Sequence, residues 1–469
     1  MKTRGGGPTA GAAAATTAPA RGTQLVRALG LWDSVSLITG IMVGSGIFLM
    51  AGSIARELHS LAAVAAVWAF GGLLSVCGAV ALAELGAALP SAGGLYVYLA
   101  RAFGPRTGFV YGWSAMALIH SGSLAALAAA IGLYAGPVFG LSTLQQKMLQ
   151  LGCIALFVAV NSAGVTVGKW VQNALTVLKV VGIVWMTAML YSRGSLDRLV
   201  RHWAPTPAES GDAGGIPWLG FGVALVAVLW AYDGWHFLSF AAGEVRQPAR
   251  TIPRSLILGT VLVFVVYLVV NAAYYAVLEP EQIRGSDRVA ALAVQEALGP
   301  GAAVSISLLI VVSILGTMNG ITLGAARVSY AMAADGLFFR AFARLHPRTH
   351  APVVATVAQG LFAALFTLVG TFQQLFTSFV FTSWIFYGLA VAAVMVLRRR
   401  EPALPRPFRC PWYPVTPLFF LLATAGIIVS TFVASFWPAL LGVGLILAGV
   451  PLHFAFQTFE RRNAPAAPA

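Results

Sequence analysis

Twelve apolar stretches of roughly 18 to 25 residues divide this chain, and a run of that length crosses a hydrocarbon layer of about 30 Å as a helix. They fall at about 33–56, 61–88, 107–135, 147–166, 170–192, 218–242, 254–279, 299–333, 352–370, 373–397, 414–433 and 435–457. In lipid every backbone amide must be satisfied inside its own segment or in a closed barrel. Stretches of helical length therefore predict an all-α polytopic membrane protein with 12 transmembrane helices. The composition agrees: 59% hydrophobic against 9% charged residues leaves too little polar surface for a water-soluble globule.

The net charge of +14 follows this topology rather than a polyanion footprint, so nucleic acid is not an expected partner. With the N-terminus inside, cytoplasmic segments hold 21 of the 29 Lys and Arg residues and external loops hold seven, the bias of the positive-inside rule. Both termini are expected in the cytoplasm. Residues 1–28 are rich in Ala, Gly and Thr and lack the apolar run of a signal peptide, which predicts a disordered cytoplasmic tail. Residues 459–469 are read as a second cytoplasmic tail. Cys77 and Cys153 fall inside apolar stretches and Cys410 in a cytoplasmic loop, so no extracellular disulfide framework is expected. Nothing in the sequence calls for a metal or a cofactor.

The first stretch contains "GIMVGSGIFLMAG", with Gly44-Ser45-Gly46 about eleven residues in, or roughly 16 Å along a helix and close to the midplane. Glycine costs about 1 kcal/mol against alanine within a helix. Two readings fit: small residues for close helix packing, or a break whose freed N–H and C=O groups act at mid-membrane. The sixth stretch is interrupted at the same depth by Asp233-Gly234, where a carboxylate costs on the order of 3 kcal/mol unless it has a partner or water. The two stretches hold corresponding places in five-helix halves, 29–198 and 216–400, followed by a terminal pair at 411–458. Paired broken helices in corresponding positions point to a transporter with inverted repeats and a central site. Amides after the first break suit a carboxylate, and carbonyls freed at the second suit an ammonium group, which together match an α-amino acid.

Four motifs in order, "GIMVGSGIF", "ALAELGAALPSAGGLYVYLARAFGP", "LWAYDGWHFLSFAAGEVRQPARTIPRSLILG" and "GTMNGITLGAARVSYAMAADG", resemble the amino acid, polyamine and organocation transporter superfamily, and within it the L-amino-acid transporter family, over about residues 30–455. The resemblance implies a LeuT-type 5+5 inverted repeat in the plasma (inner) membrane, with the first and sixth helices unwound. It implies carboxylate contacts at Val43, Gly44, Ser45 and Gly46 with Ile41 alongside, amino-group and side-chain contacts at Trp230, Ala231 and Asp233, and Tyr232 near a gate. It implies that Lys179, a mid-membrane lysine, stands in for the sodium ion of sodium-coupled relatives, with Thr317 and Asn319 as neighbours, and that Glu244 and Arg327 join an inner closing network. Animal members bind a disulfide-linked heavy chain through a cysteine after the third helix; "GPVFGLSTLQQ" has none, so a stand-alone bacterial type with no heavy chain is expected.

His236 departs from the asparagine common in relatives and would make the site titrate near neutral pH or alter its selectivity. Asp233 would draw a cationic side chain, or cap the broken helix. His120, also at mid-membrane, would pack or carry a proton. The expected function is sodium-independent, alternating-access transport of L-amino acids, an exchange of neutral and cationic substrates. The competing reading is a proton-coupled amino-acid or polyamine symporter using Lys179 or His236. An enzyme is not expected, since no nucleophile with a base and no metal cluster faces a cavity, and no channel filter is visible.

Overall fold

Several helices begin where the chain satisfies or omits a backbone donor. Ser60 accepts from the Ala63 amide, Ser142 and Gln145 form a reciprocal capping box, and Pro105 and Pro248 open their helices without an N–H to satisfy. The computed structural model describes residues 25–203, 218–369 and 372–463; the expected tails lie outside these up to 24 and from 464 on. The helices are α1 (Leu31–Met42), α2 (Gly46–Glu57), α3 (Leu61–Ala88), α4 (Leu95–Phe103), α5 (Pro105–Ser114), α6 (His120–Phe139), α7 (Thr143–Ser162), α8 (Val165–Arg193) and α9 (Leu196–Trp203). They continue as α10 (Trp218–Ala231), α11 (Pro248–Val277), α12 (Pro280–Arg284), α13 (Val289–Leu298), α14 (Ala302–Ala334), α15 (Val353–Val369), α16 (Phe372–Arg400), α17 (Val415–Ala434) and α18 (Phe436–Asn463). A π-helical turn, Ala115–Ile119, joins α5 to α6.

Among the described residues, ten helical segments are long and apolar enough to span a membrane, so the protein is a multi-pass membrane protein. Two expected spans differ. The stretch at 218–242 is helical only to Ala231; beyond it the chain makes turns and two 3₁₀ turns, Phe237–Ser239 and Ala242–Glu244. The stretch at 352–370 forms the 17-residue α15. The loop helices α4, α12 and α13 were not foreseen, being too short to show a helical period against the apolar background.

The first segment, α1 with α2, and the α5–α6 segment are almost wholly buried, whereas α7, α17 and α18 present most of their surface outward. The chain thus wraps its interrupted helix rather than exposing it. Helix α11 packs along α3 and α1, α14 along α8 and α6, and α10 along α2 and α3. These neighbours meet where α1 ends and α10 ends.

Candidate functional site

Regular hydrogen bonding in α1 stops with the Val43 amide on the Thr39 carbonyl, and α2 restarts at Gly46. A helix end of this kind leaves its last carbonyls without intrahelical partners, and here all of them are met by side chains from other helices. Tyr267 of α11 donates to Met42 O at 2.6 Å, and the Ser313 hydroxyl of α14 lies 2.8 Å from Val43 O and 3.2 Å from Gly44 O, its one proton able to serve either. Thr317 lies within 3.2 Å of both Gly40 O and Ile41 O. Burial of five free carbonyls would otherwise be prohibitive.

Lys179 of α8 completes this set. Its side chain is fully buried, and Nζ donates to Gly40 O at 2.7 Å, Val43 O at 2.8 Å and Ser313 O at 2.8 Å. An ammonium has three N–H donors, so each has an acceptor and the charge bridges α1, α8 and α14. Thr317 shares two of those acceptors. Asn319 does not touch Lys179; it donates to Gly168 O and Gln172 Oε1 and accepts from Asn161, joining α14 to α7 and α8.

The two interruptions approach each other through glycine. A Cβ on Gly46 would lie 2.5 Å from Ala231 Cα, and one on Gly234 would lie 2.7 Å from Ile41 Cγ2 and 3.1 Å from Met42 N. Gly234 also has φ +121°, a conformation that side chains resist. Tyr267 crosses the junction, its hydroxyl within hydrogen-bond reach of both Met42 O and Ala231 O, the latter at 3.0 Å. Between the interruptions lies a cavity of about 20 Å³, the space of about one water molecule. Gly44, Ser45, Gly46, Trp230, Ala231 and Asp233 line it, with Ile41, Met42, Thr317, Ile321 and, from α6, Ser123 and Leu127. Ser45 Oγ is buried there without a hydrogen-bond partner, beside the first amides of α2.

Three expected site residues lie off the cavity lining. Val43 turns its carbonyl to Lys179 and Ser313. Tyr232 packs edge-on against Trp68 at 5.7 Å and tilts on Tyr267 at 5.0 Å. His236 is fully buried among Trp235, Phe237, Phe240 and Tyr387, its Nδ1 3.9 Å from Asp233 Oδ1. Asp233 itself accepts from the Tyr387 hydroxyl at 2.7 Å. His120 is buried against Phe237 and Phe240, each ring at 5.2 Å. Sequence reasoning missed Tyr267, Ser123 and Ser313. Ser313 had a usable signal, because it stands four residues before Thr317 and so shares its helix face.

Below the site, Arg327 of α14 grips Glu244 with Nε at 3.0 Å and Nη2 at 3.1 Å, both residues being buried, while its Nη1 donates to Leu323 O. The Glu244 carbonyl accepts from the Ala28 and Leu29 amides at 2.9 Å, and Leu29 pairs with Val245 as an isolated parallel bridge. Lys169 of α8 holds the start of α1 through Asp33 at 3.1 Å and Ala28 O at 3.0 Å. These contacts tie the segment preceding α1 to the end of the second interruption. Removing one partner of a buried pair strands the other charge at a cost of about 3–5 kcal/mol. Arg327→Met is therefore expected to lower thermal stability strongly, and the double variant Glu244→Gln/Arg327→Met to recover part of that loss, as read by melting in detergent.

A second buried acid, Glu84 of α3, accepts from Arg398 at 2.8 and 2.5 Å and from the Cys410 amide at 2.7 Å, with Arg406 Nε at 3.3 Å. Burial pushes the Cys410 thiol up to about 12, which makes it an inert packing group rather than a nucleophile.

The family model of the amino acid permeases matches residues 29–448. The chain belongs to the amino acid permease family. This permease is 28% identical over 450 residues to the b(0,+)-type amino acid transporter 1 of Rattus norvegicus, covering 94% of this chain and 90% of that one. It is likewise 28% identical over 436 residues to the serine/threonine exchanger SteT of Bacillus subtilis, covering 92% of this chain and 97% of that one. To the human cystine/glutamate transporter it is 27% identical over 446 residues, covering 94% of this chain and 87% of that one. Family and relatives are transporters, not enzymes.

Proposed function

We propose that this permease is an alternating-access antiporter of L-amino acids, sodium-independent and accepting neutral and cationic substrates. It sits in the plasma membrane with both termini cytoplasmic and works without a disulfide-linked heavy chain. Its twelve crossings count 218–242 and α15 as spans and are arranged as a LeuT-type pair of inverted repeats, 29–198 and 216–400, with 411–458 as an added pair. The observation that carries the reading is the meeting of two interrupted helices across one cavity. The first amides of α2 stand on one side of it for a carboxylate, and the end of α10 with Asp233 on the other for an ammonium group or a cationic side chain. The names of the relatives, an exchanger among them, support exchange. The Lys179 ammonium on the Gly40 and Val43 carbonyls supports sodium independence, because it fills acceptors that a bound cation would need.

In proteoliposomes, uptake of labelled amino acid is expected to rise at least several-fold when the lumen is preloaded with unlabelled substrate, and to be unchanged when sodium is replaced by choline. Equal uptake into empty and preloaded vesicles would refute exchange. A second reading, proton-coupled symport, draws on the buried, unpartnered His236 nitrogens beside Asp233. Uptake into empty vesicles that collapses with a protonophore would establish it instead.

A further inference from the structure

Arg246, just before α11, and Arg250 and Arg254, in its first two turns, stand four residues apart, and the site described above uses none of them. Together with Gly30, Leu31 and Thr251 they line a concave site of about 240 Å³ where the starts of α1 and α11 meet. All three arginines are exposed. No acidic side chain is among the lining residues. The acids nearest in sequence are engaged elsewhere, Glu244 with Arg327 and Asp33 with Lys169. Among the described residues the Arg246 side chain makes one hydrogen bond, Nε to Arg27 O at 3.3 Å, while its backbone amide donates to Leu29 O at 2.8 Å. The arginine face continues along α11 as an outward apolar strip, Leu258, Leu262, Val265 and Val269, each between 42% and 52% exposed. A group that satisfies both halves is anionic at its head and hydrocarbon in its tail.

We infer that this pocket binds the phosphate of an anionic phospholipid, whose acyl chain lies along the Leu258–Val269 face of α11. Arginine suits phosphate because its planar fork donates two parallel bonds, and basic clusters at the membrane boundary are sites for acidic headgroups. Because Gly30 and Leu31 share the pocket with α11, the bound headgroup joins the start of the first interrupted helix to α11. It therefore stabilises the conformer in which the Leu29–Val245 bridge is closed.

The test compares the full chain in vesicles of phosphatidylcholine alone, of phosphatidylcholine with phosphatidylglycerol, and of phosphatidylcholine with inorganic phosphate added. Bound lipid is read by native mass spectrometry and stability by melting. Phosphatidylglycerol is expected to co-purify and to raise the melting temperature. Each arginine near an anionic surface changes affinity about five-fold, so Arg250→Gln/Arg254→Gln is expected to weaken retention on the order of 20-fold while melting normally in phosphatidylcholine. Arg348→Gln/Arg409→Gln, exposed basic residues elsewhere, is expected to retain the lipid. Equal loss in both double variants would reduce the effect to general surface charge and overturn the site. Stabilisation by inorganic phosphate to the same extent would replace the lipid with a soluble phosphate ligand and overturn the acyl-chain assignment.

Discussion

Lys179→Met is expected to abolish exchange while leaving a folded protein, and Lys179→Ala to abolish it with an additional loss of stability. Methionine keeps most of the side-chain volume and removes all three donors, so it separates bonding from packing. Hydrogen bonds from a charged group contribute about 1.5–3 kcal/mol each, but removing the ammonium also removes its own desolvation cost. The single hydroxyl protons of Thr317 and Ser313 can serve Gly40 O and Val43 O in its place, and Ser313 O stays inside the hydrogen-bonded run of α14. The net stability change in Lys179→Met is therefore modest, about 1–2 kcal/mol. Truncation to alanine adds a buried cavity and about 2 kcal/mol or more. Transport falls further than stability in both, because the interrupted end of α1 loses its one charged link to α8 and α14. Wild-type exchange rates in Lys179→Met, measured beside melting temperatures, would show that the bridge is only structural.

Substitution of the two junction glycines is the second large effect. Gly234→Ala combines a disfavoured backbone conformation, about 1–3 kcal/mol, with a Cβ contact on Ile41 and on the Met42 amide that leaves no room for relaxation. Gly46→Ala places its Cβ 2.5 Å from the Ala231 Cα, a backbone atom that cannot rotate away. Either change separates the interruptions and opens the cavity, so substrate affinity and exchange are expected to fall by more than tenfold together. Gly152→Ala and Gly426→Ala, whose Cβ atoms would meet nothing within 4 Å, are the controls. Within helices α7 and α17 they are expected to be neutral or to stabilise by up to about 1 kcal/mol. Equal tolerance at Gly46 and Gly152 would remove the junction from the mechanism.

Much of this arrangement is legible in the chain itself. Apolar length placed most of the helices, and α3 begins and ends as the stretch 61–88 predicts, because a span needs no tertiary information to be recognised. The first interruption was visible because glycine pairs are costly in helices, and Lys179 because a lysine at that depth demands oxygen partners. The end of α10 at Ala231 was less legible: Asp233-Gly234 marked it, but the 3₁₀ path from Phe237 to Glu244 depends on contacts with α1 and α14. Tyr267 was invisible for the same reason. A tyrosine inside an apolar helix carries no sign of which carbonyl its hydroxyl will reach, and here it reaches two, from two different segments. Asn319 shows the converse, since the resemblance set it beside Thr317 as a neighbour of Lys179, yet two residues along a helix turn it toward α7 and α8 instead.

The central claim is that both charged ends of an α-amino acid are recognised between the interruptions, and competition binding tests it most directly. Displacement of a labelled L-amino acid would be measured with the parent compound, its decarboxylated amine and its deaminated acid. Displacement by the parent alone, with both analogues weaker by at least about 100-fold (roughly two charge-assisted hydrogen bonds in each case), is the predicted result. Displacement by the decarboxylated amine as effective as that by the parent would contradict it, and would make the protein a carrier of amines in which the start of α2 binds no carboxylate.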